Sequence, residues 1–292
     1  MEQPLVSILM AAYNQEKFIG EAIESVLAST YRNFELIIVD DCSPDSTYMI
    51  ANGYAAKDNR IRLYKNEKNL GDYPNRNRVA SYAKGKYIKY IDGDDAIYYW
   101  GLQVQVEMME RFSEVAYGLD GVMQDDYRMF PYALNPVETY HAVYVKRMDL
   151  FDKAPTSCII RREIFELEGG FKTVKYTGDC EMWHRLSIKY SVLVMPAGIG
   201  WARAHEGSEL SKAKENMPSM SYQYILLRRT FLLREDCPLN LNIKRKIIAA
   251  MAKSQIGIII KLLIKMKFNE ASRIKKTDSL GLLDLLKIHV FF

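Results

Sequence analysis

Three carboxylates close the apolar stretch KYIKYIDGDDAIYYW at residues 86–100: Asp92, Asp94 and Asp95. A second acidic pair, Asp40 and Asp41, ends the run FELIIVDD at residues 34–41. Like charges at the ends of buried strands repel unless a cation or hydrogen-bond donors offset them. A divalent ion is one economical answer. Mg2+ and Mn2+ prefer oxygen ligands, commonly take only one or two protein carboxylates, and leave substrate phosphates and water to complete the octahedron. The pattern thus implies a diphosphate guest. Asp and Gly also favour turns for local reasons, so Asp-Gly-Asp-Asp alone reads equally well as a turn. An EF-hand is excluded, because Ala96 and Ile97 stand where a calcium loop needs an oxygen ligand and then a glycine. A dinucleotide-binding dehydrogenase is disfavoured, because AAYNQEKF after the first apolar run contains no G-x-G-x-x-G.

Carboxylates distant in sequence share one crevice only if the strands carrying them end at one edge. LVSILMAA (5–12) has the length and apolarity of a strand, and EKFIGEAIESVLAS (16–29) spaces Ile19, Ala22, Ile23, Val26 and Leu27 as a helix, with Asn14 as its cap. FELIIVDD is a second strand, followed by a helix that Ser43 as cap and Pro44 at the first helical position announce. IRLYKN leads through EKNLGDYPNRNRVASYAKG to the strand before Asp92. Such alternation predicts an α/β fold with a mostly parallel, Rossmann-like sheet covered on both faces. Ligands of open α/β sheets gather beyond the carboxyl ends of the strands. Three of those ends are polar: Tyr13-Asn14, Asp40-Asp41 and Asp92 to Asp95.

The chain has 292 residues, 49% of them hydrophobic, enough for one large domain with an appendage or for two small ones. A formal charge of +4 is too small to argue for nucleic acid as a partner. Cys42, Cys158, Cys180 and Cys237 are scattered singly, which fits a reducing compartment better than a zinc site or disulfide scaffold. MEQPLVSILMAAYNQEKF reads as an opening strand, neither a signal peptide nor a membrane span.

VSILMAAYNQEKFIGEAIESVLASTYRNFELIIVDDCSPDST, followed by NLGDYPNRNRVASYAKGKYIKYIDGDD, resembles the nucleotide-diphosphate-sugar half of the family 2 inverting glycosyltransferases with the GT-A fold, from residue 4 to about residue 100. The resemblance implies that Ala12, Tyr13 and Glu16 border the nucleotide and that Asp40 and Asp41 contact base or ribose. It puts Arg76 near the nucleotide or diphosphate, although Asn75, Asn77 and Arg78 beside it also suit a solvated helix face. It further implies that Asp92, with Gly93, helps fix ribose or the metal shell, and that Asp94, with Asp95 beside it, approaches Mn2+ or Mg2+. The division of roles among the three aspartates stays open.

Further along, a strand is expected from Thr156 to Ile160, then a short helix stopped at Gly169-Gly170. YTGDCEMWHRLSIKY is helical from Asp179, with Trp183 stacked at i+4. In the resemblance it matches a Glu-Asp motif whose Asp is the general base; Gly178 replaces the Glu, so only Asp179 carries over. The chemistry needs such a separate carboxylate. In an inverting transfer the acceptor hydroxyl attacks opposite the leaving diphosphate, so its proton goes to a base far from the metal. Asp179 also reads as a helix N-cap. In IGWARAHEGSELSKAKENM, a surface loop by composition, Arg203 and His205 match an Arg-x-His element near the donor phosphates, with His205 able to approach the metal. Trp183 and Trp201 are candidates for stacking on an acceptor sugar, with core packing the alternative.

Residues 241–276 are helical in period and rich in Lys and Arg. They form either a helical pair packed on the domain or a basic amphipathic surface for an anionic membrane; Lys261 and Lys265 interrupt the apolar stretch and argue against a span. LGLLDLLKIHVFF at the end adds an anchor or a homodimer contact. The expected organisation is a GT-A domain over 1–215, with a nucleotide-sugar half (1–100) and an acceptor half (101–215), and a helical extension over 216–292. The expected activity is metal-dependent transfer from a nucleotide-diphosphate sugar, most often a UDP-sugar, to a glycan or lipid-linked acceptor on the cytoplasmic face of a membrane. A sugar nucleotidyltransferase is a rival, disfavoured because AAYNQEKF lacks a Gly-rich basic phosphate loop. A non-catalytic nucleotide-sugar-binding protein is another, for which Gly178 would be the sign.

Overall fold

The computed structural model describes residues 3–122, 128–174, 176–205, 217–264 and 272. The first elements alternate as their apolar patterns predict: β1 (Val6–Ala12), α1 (Ile19–Leu27), β2 (Phe34–Asp40), α2 (Thr47–Ala55), β3 (Ile61–Lys65), α3 (Asp72–Ala80) and β4 (Tyr87–Tyr90). They continue with β5 (Ala96–Ile97), α4 (Gly101–Arg111), β6 (Tyr117–Val122), β7 (Tyr132–Leu134), α5 (Pro136–Tyr144), β8 (Cys158–Arg161), α6 (Arg162–Leu167) and α7 (Gly178–Lys189). Then follow β9 (Val192–Pro196), β10 (Gly200–Trp201), α8 (Met217–Leu233) and α9 (Leu241–Ile264).

Eight strands form one sheet in the order β3-β2-β1-β4-β8-β6-β9-β7. The first four are parallel, whereas β8 runs antiparallel to both of its neighbours and β7 antiparallel to β9. A near-continuous apolar strand suits a sheet covered on both faces, and two cores result. Ile8, Met10 and Leu36 pack with Ile19 and Ile23 of α1 and Leu102 and Val106 of α4. On the other face Leu9, Ile37 and Val39 pack with Val79 of α3, Trp183 and Leu186 of α7, and Leu232 of α8.

The helix starts differ from expectation because the first two strand-end loops bind one another. Asn14 is no helix cap; it sits at φ 55°, and its N–H donates to Ser43 Oγ at 3.1 Å, so α1 begins only at Ile19. Ser43 and Pro44 likewise belong to the loop, and α2 begins at Thr47, whose N–H the Asp45 carboxylate takes at 3.0 Å. Gln15 N–H donates to Thr47 Oγ1 at 2.7 Å, completing the lacing. Near Thr156 a 3-10 turn (Pro155–Ser157) precedes the strand and delays it to Cys158.

Trp183 is fully buried, stacked on Tyr117 with centroids 5.8 Å apart and planes 10° apart, and its Nε1 donates to Lys153 O at 2.7 Å. The expectation that it stacks on an acceptor sugar is corrected: it is a core residue, because α7 turns this face onto β6. Trp201 is 41% exposed.

The two long helices pack on the domain. Leu232 of α8 and Ile248 of α9 enter the larger core, and Arg229 donates to Gln255 at 2.7 Å in the buried seam between them. α9 buries one stripe, Ile248, Ala252, Gln255, Ile259 and Leu262, and exposes Ile260, Leu263 and Ile264. Despite Lys253 and Lys261 it is long and apolar enough to cross a membrane by length and composition alone. LGLLDLLKIHVFF lies outside the described residues. As a core residue, Trp183 replaced by Ala costs about 3–5 kcal/mol in urea unfolding, whereas Trp201→Ala changes stability by about 0.5 kcal/mol or less; equal effects would contradict the assignment.

Candidate active site at the carboxyl edge of the sheet

Ala12 at the end of β1 is in register with Asp40 at the end of β2, and Asp41 N–H donates to Ala12 O at 2.8 Å. Asp40 is fully buried. Its Oδ2 accepts Ser43 N–H at 3.1 Å and lies 3.9 Å from Lys65 Nζ, while Oδ1 is buried with no partner among the described residues. A buried acceptor without a donor is costly, so Oδ1 is a natural place for a guest's N–H or O–H. Asp41 differs. Its oxygens take Asn66 Nδ2 at 2.7 Å, Leu70 N–H at 2.8 Å and Gly71 N–H at 2.9 Å, so it ties down the entry to α3 and has little capacity left for base or ribose.

Tyr13 is 44% exposed, whereas Ala12 is buried. Glu16 Oε2 accepts Ser46 N–H at 3.1 Å, so its carboxylate serves the lacing of the two loops. Gly93 allows a close approach: a Cβ there would lie 3.2 Å from the Gln15 side chain and 3.7 Å from Ala12 Cβ. The Asp92–Asp95 loop therefore closes directly on the end of β1.

Arg76 is buried, which rules out a solvated helix face. Its guanidinium grips Asp92 with two bonds, at 2.6 and 2.9 Å, and Asp72 with a third at 2.7 Å. Burial alone would lower its pKa, but Asp92 and Asp72 outweigh that and hold it well above the usual arginine value. Asp92 is thus committed to an internal cation. Asp95 is buried too; its oxygens accept Arg203 N–H at 3.0 Å and Thr156 Oγ1–H at 2.9 Å, and burial, with Asp92 nearby, pushes its pKa up to about 6. Asp94 faces a different partner: its Oδ2 lies 2.9 Å from His205 Nε2, with both side chains about one-fifth exposed. Among the described residues no group of three or more His, Cys, Asp or Glu side chains could hold a metal by itself. Asp94 and His205 bring one carboxylate and one imidazole together.

Arg203 is a strut. Its Nε donates to Asp94 O at 3.0 Å, its Nη2 to Glu21 at 2.6 Å, and its guanidinium lies between the rings of Phe18 and Trp201 at 4.8 and 4.6 Å. It pins the acidic loop to α1. The loop residues after His205, 206–216, lie outside the described residues.

Asp179 lies in the first turn of α7. The N-cap residue is Thr177, so the N-cap alternative for Asp179 does not hold; its Oδ1 accepts Cys180 N–H at 2.7 Å. A helix N-terminus would depress its pKa, yet burial dominates and raises it to about 6. The groups facing it are Asp72, Tyr73 and Arg76 from α3, Tyr224 from α8, and Cys180 on its own helix. Sequence reasoning passed over Tyr73, whose hydroxyl accepts Gly178 N–H at 2.9 Å. The one sequence signal was Gly178, a small residue where a larger one is expected. It also passed over Thr156, 61 positions from the aspartate it serves, for which no local signal exists.

Comparison with known proteins identifies the family and the fold. The sequence profile described as Glycosyl transferase family 2 matches residues 7–168. The UDP-Glc:alpha-D-GlcNAc-diphosphoundecaprenol beta-1,3-glucosyltransferase WfgD of Escherichia coli is 40% identical over 109 residues, 37% of this chain and 42% of WfgD. The alignments span about two fifths of the length of such curated relatives. Among solved structures, Staphylococcus aureus TarS 1–349 in complex with UDP-GlcNAc superposes with a TM-score of 0.70 at 18% identity, over 97% of this chain and 81% of that one. The Pyrobaculum calidifontis mannosyltransferase PcManGT, in complex with GDP-Man and Mn2+, gives 0.64 at 14% identity, over 99% and 87%. At these identities the likeness is one of fold, and that fold is GT-A. With the family profile covering more than half of its length, the chain belongs to glycosyl transferase family 2.

Proposed function

We propose that the protein is an inverting glycosyltransferase that moves a sugar from a nucleotide-diphosphate sugar, a UDP-sugar first among them, to a hydroxyl of a glycan or lipid-linked acceptor in polysaccharide or glycoconjugate assembly. One observation carries the reading: α3 holds the acidic loop through Arg76 and Asp92, and the same helix holds the start of α7 through Tyr73. Donor loop and base are set in fixed relation by one rigid element, as in-line displacement requires.

In this reading Asp40 Oδ1 accepts a proton donor of the base or ribose, and Ala12, Tyr13 and Gly93 border the nucleotide. Asp94 and His205 are the residues that would hold a divalent ion, Mn2+ or Mg2+, with the Asp94 carboxylate, the diphosphate and water supplying the oxygen donors that these ions prefer. Such an ion, when bound, supplies Lewis-acid stabilisation of the departing diphosphate. Asp179 takes the proton from the acceptor hydroxyl on the face opposite the leaving group. Its upward-shifted pKa brings it nearer to the working pH, and general-base catalysis of this kind is worth about 10²–10⁴-fold. Trp201, exposed beside Arg203, is available to the acceptor side. The division into a donor half (1–100), an acceptor half (101–215) and a C-terminal extension (216–292) belongs to the same proposal.

In the same proposal the extension holds the enzyme on the inner face of a membrane. Exposed Ile260, Leu263 and Ile264 lie among Lys253 and Lys261, and Arg245 and Lys246 are exposed a few turns earlier, a pattern suited to apolar insertion beneath anionic headgroups. The stripe buried against the domain favours lying on the surface over spanning. WfgD, named for a diphosphoundecaprenol-linked acceptor, supports a lipid-linked substrate.

Incubated with Mn2+ and a panel of nucleotide sugars, the protein should release nucleoside diphosphate; silence across the panel with glycan and lipid acceptors would overturn the proposal. Asp94→Ala should abolish Mn2+-dependent UDP binding in calorimetry, whereas Asp179→Asn should keep UDP binding and lose transfer. Asp179 also leaves a mark on stability. Between pH 3.8 and about 6 the folded state keeps a proton that the unfolded chain has lost, so its contribution to stability falls as pH rises through that window and stays lost above it. Asp179→Asn should therefore be the more stable protein at pH 8, by up to about 3 kcal/mol at 1.36 kcal/mol per pKa unit, and nearly equal to the parent at pH 4. In flotation assays, vesicles containing phosphatidylglycerol should carry the protein and phosphatidylcholine vesicles should not; binding that survives alkaline carbonate would indicate a span.

A further inference from the structure

The space that a side chain at 178 would occupy is already filled. A Cβ on Gly178 would lie 2.5–2.7 Å from Cζ, Cε2 and Cε1 of Tyr73, distances that real Cβ atoms do not tolerate. That ring is not free to swing aside. It packs on Phe171 at 5.6 Å, and Phe171 is held in turn by Tyr90 and Trp183. The Tyr73 hydroxyl accepts two backbone donors, Gly178 N–H at 2.9 Å and Asp179 N–H at 3.3 Å. Both belong to the first turn of α7, where N–H groups have no acceptor within the helix.

We propose that Tyr73 is a positioning residue for Asp179: its ring requires glycine at 178 and its hydroxyl closes the first turn of α7, so that the carboxylate stands on a fixed, water-poor floor. Where the family resemblance leads one to expect glutamate, this chain thus has a large residue on α3 paired with the smallest residue on α7. The proposal rests on the reading of Asp179 as the base. Of the groups facing Asp179 (Asp72, Tyr73 and Arg76 on α3, Tyr224 on α8, Cys180 beside it), Tyr73 is the one from another helix that bonds its backbone. Without the hydroxyl, two N–H groups turn to water or to the Asp179 carboxylate itself. Either change favours the ionised form.

The test uses Tyr73→Phe, which keeps the ring and removes the acceptor. In carbon-detected NMR of aspartate-labelled protein, with Asp179→Asn as the assignment control, Asp179 should titrate about one unit lower in Tyr73→Phe than in the parent. UDP release from UDP-glucose with Mn2+ should show kcat reduced about tenfold at unchanged KM, the mark of misplacement rather than lost binding. Gly178→Ala should lower Tm in the parent and be tolerated in Tyr73→Ala. An unchanged Asp179 titration in Tyr73→Phe overturns the proposal, as does a Gly178→Ala penalty that persists in Tyr73→Ala. Undiminished UDP release by Asp179→Asn would instead remove the base reading, and the titration and the Gly178 exchange would still decide what Tyr73 does to Asp179.

Discussion

A buried guanidinium sets the terms at the carboxyl edge of the sheet. Arg76 holds Asp92 through two bonds and Asp72 through a third, and its charge is felt by Asp179. A buried cation is tolerable only when paired and hydrogen-bonded, and removal of either partner leaves a charge that costs several kcal/mol. Because the guanidinium is planar and its donors fork in fixed directions, this pairing also fixes angles. The acidic loop is thereby referred to α3, the helix whose Tyr73 also bonds the start of α7.

The same logic extends to the other carboxylates. Asp41 is satisfied by Asn66 and two backbone N–H groups, and Asp95 by Thr156 and the backbone of Arg203. The crowding of negative charge, which from sequence alone points to a divalent ion, is largely resolved by the chain's own donors. What remains is a short and chemically distinct set: one buried oxygen of Asp40, and Asp94 facing His205. In the proposed function these are the groups that meet a guest's proton donor and a divalent ion.

Much of this was legible in the residues. Continuous apolar strands ending in Tyr13, Asp40 and Asp92 do form neighbouring parallel strands, because strand polarity and period survive tertiary context. The helix starts were not legible, since Asn14 and Ser43 bond one another across 29 positions instead of capping their own helices. Nor was the difference between Asp40 and Asp41. It depends on the backbone of residues 70 and 71, which no pattern around residue 40 encodes. Trp183 misled because helical spacing says which residues share a face but not which face meets the core. For Arg76 only the solvated-face alternative fails, since this charged residue is buried among its polar neighbours.

In the proposed function Arg76–Asp92 is a permanent internal pair, and Asp40 and Asp94 meet the nucleotide. A crystal structure with UDP and Mn2+ tests it most directly. The expected result is a proton donor of uracil or ribose on Asp40 Oδ1, the ion on the Asp94 carboxylate with His205 alongside, and the Arg76–Asp92 bonds unbroken. An ion held by Asp92 after it has left Arg76, or a nucleotide seated away from Asp40, would contradict it.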